Sequence, residues 1–314
     1  MIFDSHSDIW SDVAVKSLQG EKDIFRKYHY GKLQKGKIEG AIFVIWIDPP
    51  YDKTPEVRFQ QILEAVKQEL SYCRDILRIV HNYEEMQRAR EEGIFYVFPG
   101  CEGLSGIGAD LGQIELLYEL GVRHASLTWN EQNLLASGIG GDSESGLTEL
   151  GVKALHKIQE LGMLFDVSHL NDKSFWDVMR HARGPVVATH SNSRRLCPAP
   201  RNLTDEMIKE LIKTGGMIGV NAYPTFLTER EEDATVAMLA RHIEHMADIA
   251  GIDNVGFGFD FCGFLEGFNP ILPGLQDASE TENILAAMQE VGFTTEDIQK
   301  VSYLNWHRMI QKIL

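Results

Sequence analysis

The sequence predicts an α/β fold, a (β/α)₈ TIM-type barrel with extra C-terminal helices. Short apolar runs alternate with longer amphipathic ones, as in βα units around a parallel sheet. Eight apolar runs fit strands, and an open doubly wound sheet is the weaker alternative because no glycine-rich phosphate turn follows the first run. The predicted strands cover residues 1–9, 41–47, 94–100, 124–130, 163–169, 186–191, 217–223 and 255–261.

Helix-like segments lie between most of these strands. In "ELLYELG", residues 115–121, leucines recur at helical spacing and Gly121 is the expected C-cap. In "TDEMIKELIKTGG", Thr204 is the expected N-cap and Gly215 ends the helix. The segment 295–314 predicts the additional C-terminal helices. Because the chain contains neither repeats nor a low-complexity linker, one barrel domain is expected over its whole length.

The composition is that of an ordinary globular protein and argues against nucleic-acid or membrane partners. Of 314 residues, 44% are hydrophobic and 24% charged, which is enough to bury a large core. The net charge of −16, without any lysine- or arginine-rich run, would repel anionic surfaces. With no secretion-type or membrane-spanning apolar stretch and four scattered cysteines, the expectation is a cytoplasmic protein with reduced thiols.

Residues that commonly bind metals fall at the carboxyl ends of the predicted strands. In the opening "DSHSDIW", strict alternation would place Asp4, His6 and Asp8 on one face of the first strand. Taken alone, this motif also fits a capped turn with a satisfied histidine. The strand ends of a barrel, however, converge on one mouth, where barrel active sites lie. The complete candidate set is His6, Asp8, Glu102, His169, His190 and Asp260.

These residue types indicate a metal-dependent hydrolase. Borderline cations such as Zn²⁺ favour imidazole and carboxylate ligands, and one carboxylate can bridge two ions. Three histidines with two or three carboxylates therefore suit two ions. Ions about 3.5–4 Å apart would hold a bridging hydroxide as nucleophile and polarise the carbonyl that it attacks.

The remaining histidines and cysteines are expected to have other roles. His242 and His245 lie three residues apart in a probable helix and are predicted to face solvent. His124 opens a strand rather than closing one, so it is a poor ligand candidate. Cys101 and Cys262 neighbour candidate site residues but have no paired base, which favours structural thiols.

Several segments resemble the renal, or membrane, dipeptidase family and its bacterial-type members. The most specific is "HSNSRRLCPAPRNLTDEMI", residues 190–208, which is similar to the family's His-Ser and Arg-Asn-Leu-Thr-Asp signature. "DSHSDI", "CEG", "DVSH" and "GFGFDFCG" resemble the family's other site segments, so the match runs nearly end to end. The resemblance implies a metallo-dependent hydrolase-like barrel that binds two zinc ions.

The resemblance also implies ligand roles for five of the candidates. His6 and Asp8 would bind one zinc ion, and His169 and His190 the other. Glu102 would bridge the two ions. Because such sites also accept Mn, Co or Fe, the sequence leaves the physiological metal open.

Four further roles concern catalysis and substrate. Asp260 would accept a proton from the attacking water and pass it to the leaving amine. Arg201 would bind the free carboxylate of a dipeptide, because a planar guanidinium suits two oxygens. Trp129, in "LTWN", stands where renal-type members carry a histidine that helps to bind the oxyanion. Losing that donor predicts a rate lower by about 10²–10³-fold, unless Asn130 and the metal ions compensate.

The leading hypothesis is a single catalytic domain that hydrolyses dipeptides with a free C-terminal carboxylate, including those with a D-residue at that end. One alternative is a related binuclear amidohydrolase acting on another amide, a lactone or an ester. Another is a non-catalytic barrel that binds metal or peptides. The expected partner is a small dipeptide. Members of the resembled family are often dimeric, but the sequence leaves the oligomeric state open.

Overall fold

The computed structural model describes residues 1–47, 51–265, 267 and 271–314. Its strands are β1 (Ile2–Ser7), β2 (Ile38–Trp46), β3 (Leu77–Ile79), β4 (Phe95–Glu102), β5 (His124–Ser126), β6 (Leu164–Asp166), β7 (Val186–Ala188), β8 (Met217–Val220) and β9 (Val255–Phe257).

The α-helices surround these strands. They are α1 (Ile9–Leu18), α2 (Gly31–Lys35), α3 (Pro55–Tyr72), α4 (Tyr83–Glu91), α5 (Gly112–Glu119), α6 (Glu149–Glu160), α7 (Asp172–His181), α8 (Asp205–Lys213), α9 (Val236–Ala250), α10 (Glu282–Glu290), α11 (Thr295–Gln299) and α12 (Asn305–Ile313). Two π-helical turns lie at Phe25–Tyr30 and Lys300–Leu304. Short 3₁₀ turns lie at Tyr51–Lys53, Ser105–Ile107, Pro224–Phe226, Glu231–Asp233, Ile252–Asn254 and Ala278–Glu280.

Eight parallel strands close into a barrel, as predicted. The pairing runs β1–β2–β4–β5–β6–β7–β8–β9 and returns from β9 to β1. Parallel neighbours require crossover connections, and most of the helices occupy those connections on the outside. The carboxyl ends of all eight strands therefore face the same mouth.

The structure differs from the prediction at one strand and at several strand ends. Strand β3, which is additional to the eight strands of the barrel, was not predicted; it pairs in parallel with the start of β4. Its three residues are too few to show a periodic pattern. Several strands also end earlier than predicted, so that β5 stops at Ser126 and β6 at Asp166. The residues that follow belong to loops at the mouth.

The helix signals in the sequence correspond to real boundaries. The side chain of Thr204 accepts a hydrogen bond from the Met207 amide and caps α8, and Gly215 adopts a left-handed φ of 80°. After α5, Gly121 adopts a φ of 101°. Of the leucines around α5, however, only Leu117 is buried, whereas Leu116 and Leu120 are exposed.

The C-terminal helix α12 closes the amino-terminal end of the barrel. The Trp306 ring packs against Phe3 with centroids 6.2 Å apart, and its indole N–H donates to the Phe257 carbonyl at 3.2 Å. Next to it, His307 Nε2 lies 2.9 Å from the Tyr96 hydroxyl. This end is therefore filled and sealed, which leaves the opposite mouth for a site.

A layer of small residues lies inside the barrel on the side of the mouth. Ser5 Oγ lies 2.6 Å from the Thr189 carbonyl oxygen and 2.8 Å from that of Phe257. At Gly258, a Cβ atom would lie 1.7 Å from the Thr189 oxygen. Strands β7 and β9 can therefore approach this closely only because position 258 has no side chain.

We expect Gly258→Ala to lower the free energy of unfolding by about 1–3 kcal/mol or more, because the added methyl group must push the Thr189 carbonyl aside. Urea denaturation measures the change. The matched control is Gly31→Ala in α2, where a Cβ meets no atom within 4 Å. The control should be neutral or slightly stabilising. Equal stability of the two variants would contradict this description of the barrel interior.

Candidate metal centre and its cavity

The structure brings all six candidate residues together at the mouth of the barrel. His6 lies near the end of β1 and Glu102 is the last residue of β4. Four others lie in the loops just after β1, β6, β7 and β9, namely Asp8, His169, His190 and Asp260. All are buried except Asp260, which is partly exposed.

The opening motif does not follow strict alternation. The register between β1 and β2 shifts between Asp4 and Ser7, and this irregularity lets His6 reach the mouth. His6 Nε2 lies 4.0 Å from Asp8 Oδ1. Asp4 instead bonds to backbone: its Oδ1 accepts from the Phe259 amide at 2.9 Å. Asp4 therefore ties β1 to the loop that carries Asp260.

Three imidazole nitrogens surround one carboxylate oxygen. Glu102 Oε1 lies 2.8 Å from His169 Nε2, 3.2 Å from His190 Nε2 and 3.3 Å from His6 Nε2. The two nitrogens of His169 and His190 are themselves 2.8 Å apart. Atoms this close form a hydrogen bond only if one atom of the pair carries a proton.

Hydrogen bonds behind the centre fix the tautomers of two histidines. His169 Nδ1 donates to Asn130 Oδ1 at 2.8 Å, which leaves Nε2 as an acceptor. The Asp166 carboxylate can only accept, so Thr189 Oγ1 uses its proton to donate to it. Thr189 Oγ1 must therefore accept a hydrogen bond from His190 Nδ1, which lies 2.9 Å away. His190 Nε2 is therefore also an acceptor. Both Nε2 lone pairs point towards the centre.

This donor set fits a divalent cation. Among the described residues, His6 Nε2, Asp8 Oδ1 and Glu102 Oε1 are buried without a hydrogen-bond donor. Acceptors facing each other at such distances repel unless a positive charge lies between them. Two overlapping groups could hold an ion, His6–Glu102–His190 and His6–Asp8–Asp260. Imidazole and carboxylate are the ligands that Zn²⁺ prefers.

Burial disfavours charge on every group of this centre. It lowers the pKa of His6 to about 3 and that of His190 well below its usual range. Burial, followed by the charges of Asp8 and Asp260, raises the pKa of Glu102 well above its usual range. The neutral imidazoles are ready to act as ligands, and a cation would stabilise the carboxylates as anions.

Asp260 contacts both Asn221 and the candidate ligands of the centre. Its Oδ2 accepts a hydrogen bond from Asn221 Nδ2 at 2.9 Å, and its Oδ1 lies 3.8 Å from His6 Nε2. Burial raises its pKa to about 6, although the Asn221 bond and the Arg201 charge oppose the rise. Its backbone adopts a left-handed φ of 60°, an uncommon conformation that often marks functional sites.

Arg201 lies beside the Nε2 edge of His169, next to the centre. Its guanidinium donates to the carbonyls of Ser168 and His190, and at 3.2 Å to His169 Nε2. The last bond agrees with the tautomer deduced for His169. Only 4% of Arg201 is exposed, and its Nε has no hydrogen-bond acceptor among the described residues. A buried guanidinium that lines a cavity can bind an anionic group there.

A cavity of about 290 Å³ opens above the centre. The centre and Arg201 form its floor, and Asn130 also contacts it. Its remaining walls are mostly apolar and include Trp46, Trp129, Ile139, Tyr223, Phe226 and Leu265. Its size suits a small ligand with apolar parts.

The prediction that His242 faces solvent is wrong. His242 is fully buried in α9, and the Ser193 amide donates to its Nδ1 at 3.1 Å. Its Nε2 donates to the Leu227 carbonyl at 3.0 Å. It thus joins the loop that carries Arg201 to the loop after β8. His245 is partly exposed, with its Nε2 3.0 Å from Asp205 Oδ1.

Sequence reasoning missed the residues behind the ligands. Asp166 accepts hydrogen bonds from the side chains of Ser168 and Thr189, and His124 Nε2 lies 3.0 Å from it. Asn221 was likewise not singled out. Thr189 and Asp166 could have been found from their positions in the sequence, because they lie one residue before His190 and three residues before His169.

Comparisons with known proteins identify a matching family model and a similar bacterial protein. A family model described as "Membrane dipeptidase (Peptidase family M19)" matches residues 1–313. A Klebsiella pneumoniae protein described as "Uncharacterized protein in pqqA 5'region" is 32% identical over 82% of this chain and 96% of its own length.

Two solved structures share the fold across nearly the whole chain. A metallopeptidase titled dipeptidase AC superposes with a TM-score of 0.89 at 25% identity, covering 99% of this chain and 98% of that one. A Rhodobacter sphaeroides metallopeptidase, bound to a phosphinate mimic of the dipeptide L-Ala-D-Ala, also gives 0.89, at 24% identity and coverages of 100% and 99%. Within the described residues, no helix has the length and apolar character needed to cross a bilayer.

We expect Asn130→Leu to weaken zinc binding by about 10–100-fold, because His169 loses the acceptor that fixes its tautomer. Competition against a chromogenic chelator measures the affinity without any assay of activity. The matched variant Asn130→Asp keeps an acceptor at this position and should bind zinc about as tightly as the parent protein. Unchanged affinity in Asn130→Leu would rule out this role.

Acidification should destabilise the fold through His242. Burial lowers its pKa to about 4, so below pH 6.5 the unfolded chain binds a proton that the folded chain does not. Stability is therefore lost as the pH falls from about 7 towards 4, with about 2 kcal/mol of the loss between pH 7 and pH 5.

Urea denaturation of chelator-treated protein at both pH values tests this contribution. His242→Gln keeps a donor and an acceptor but cannot titrate, so its loss of stability between the two pH values should be smaller than that of the parent protein. His245→Gln on the same helix is the control and should behave like the parent. An unchanged pH dependence in His242→Gln would contradict the assignment.

Proposed function

Because this chain belongs to the membrane dipeptidase family, peptidase family M19, we propose that it is a metal-dependent dipeptidase. It hydrolyses the peptide bond of dipeptides that carry a free C-terminal carboxylate. The observation that carries the proposal is the convergence of three imidazole Nε2 atoms on Glu102 Oε1 beside the buried Arg201. The family model covers residues 1–313, which supports one catalytic unit over the whole chain.

The proposed cofactor is a pair of zinc ions. His6 and Asp8 would hold one ion, His169 and His190 the other, and Glu102 would contact both. When bound, such ions acidify a water molecule and polarise the carbonyl group that it attacks. The fixed tautomers of two of the histidines and the orphaned carboxylate oxygens support this arrangement.

Asp260 is the proposed general acid–base group. It contacts the centre from the side: Asn221 donates to its Oδ2, and its Oδ1 faces His6. It would take a proton from the attacking water and deliver it to the leaving amine.

Arg201 is the proposed anchor for the substrate carboxylate. Its guanidinium lines the cavity beside the centre, where it would pair with a carboxylate. Trp129 and Asn130 would contact the rest of the substrate, since both line the cavity. The Rhodobacter sphaeroides relative that binds an L-Ala-D-Ala mimic makes L,D dipeptides part of the proposed range.

The test compares each dipeptide with its C-terminal amide. The zinc-loaded protein should hydrolyse the free acids about 100-fold more efficiently than the amides, and a chelator should abolish the activity. Arg201→Gln should reduce the preference to about tenfold or less. Arg195→Gln, an exposed arginine in the same loop, is the control and should retain the full preference.

Two outcomes would point to a different function. A full metal load without turnover of any L,L or L,D dipeptide would contradict the proposal and favour a non-catalytic barrel. Turnover of amides, lactones or esters that is independent of Arg201 would indicate an amidohydrolase of another specificity. Circular dichroism and the zinc content of Arg201→Gln establish that the variant is folded and loaded.

A further inference from the structure

The walls of the cavity contain two pairs of aromatic rings. Trp129 packs against Trp46 with ring centroids 5.1 Å apart, and on its other side it lies 6.1 Å from the His169 ring. Tyr223 stacks on Phe226 at 5.1 Å and an interplanar angle of 28°. Both pairs therefore line the cavity, and Trp129 also borders the centre through His169.

Trp129 is the member of these pairs best placed to meet a substrate side chain. It is partly exposed, whereas Trp46 behind it is only 4% exposed. Phe226 is already covered on one side by the Arg201 guanidinium, 5.5 Å from its ring centroid. A group bound at the centre would lie next to the free part of the Trp129 ring, because that ring contacts His169 directly.

The walls offer little to a charged side chain. Among the described lining residues, every charged group belongs to the metal centre or is Arg201. Thr225 at the rim donates to Glu231 Oε1 at 3.1 Å, but both residues are exposed to solvent. A charged substrate side chain inside the cavity would lose its hydration without gaining a partner.

On the basis of the proposed dipeptidase function, we propose that the cavity selects dipeptides with a large apolar side chain and that Trp129 determines this specificity. Leucine or phenylalanine side chains bury apolar area against the indole, which glycine cannot do. One well-buried apolar side chain typically changes specificity by about 10–200-fold. The absence of charged partners in the wall, rather than the cavity volume alone, excludes glutamate and lysine side chains.

The experiment measures kcat/KM of the zinc-loaded enzyme on two series, X-Ala and Ala-X, where X is Gly, Leu, Phe, Glu or Lys. In at least one series, Leu and Phe should exceed Gly by tenfold or more, with Glu and Lys no better than Gly. In Trp129→Ala, the Leu/Gly ratio should fall to about threefold or less. Trp129→Phe should retain most of the ratio, because it keeps an apolar ring.

A matched control separates specificity from folding. Trp176→Ala removes a partly buried indole from α7, outside the cavity, and should keep the parental Leu/Gly ratio. Three results would overturn this inference while leaving the dipeptidase proposal intact. They are equal kcat/KM for all side chains X, a preference for charged side chains, and an unchanged Leu/Gly ratio in Trp129→Ala. Failure to hydrolyse any member of either series would instead contradict the dipeptidase proposal.

Discussion

Mutual repulsion of acceptor atoms at the barrel mouth is the constraint on which the rest of the site depends. The Nε2 atoms of His169 and His190 lie 2.8 Å apart, both unprotonated, and both are close to Glu102 Oε1. In a buried environment such an arrangement is unfavourable by itself. It becomes favourable when a cation occupies the point to which the lone pairs are directed.

The scaffold around the ligands holds this arrangement in place. Asn130 and Thr189 fix the two imidazole tautomers, and Asp166 in turn fixes Thr189. Below them, the absence of a side chain at Gly258 lets β9 lie close to the Thr189 carbonyl. The positions of the ligands therefore depend on packing inside the barrel, and the sealed opposite end leaves the mouth as the place where substrate can enter.

The sequence was informative where a feature depends on local pattern. Eight strands could be predicted from apolar runs, and the capping role of Thr204 from its position before acidic residues. The closure of the barrel then made strand ends converge, so the six candidate residues could be grouped without knowing any distance. The three-residue strand β3 carried too little pattern to be found.

Other features depend on contacts between distant parts of the chain. His242 looked like a surface residue because its helix has polar neighbours, yet Ser193 and Leu227 cover it from two separate loops. The bond from His169 to Asn130 joins loops after different strands. Such pairings follow from the assembled barrel, and periodicity and composition contain no information about them.

The most direct measurement of the central claim is the number of zinc ions bound per chain. Equilibrium dialysis against Zn²⁺ followed by elemental analysis should give two ions per chain for the parent protein. Glu102→Gln should bind fewer, because in the proposed arrangement the Glu102 carboxylate contacts both ions. A parent protein that remains folded in dialysis but retains no zinc would show that the converging acceptors serve some purpose other than holding a cation.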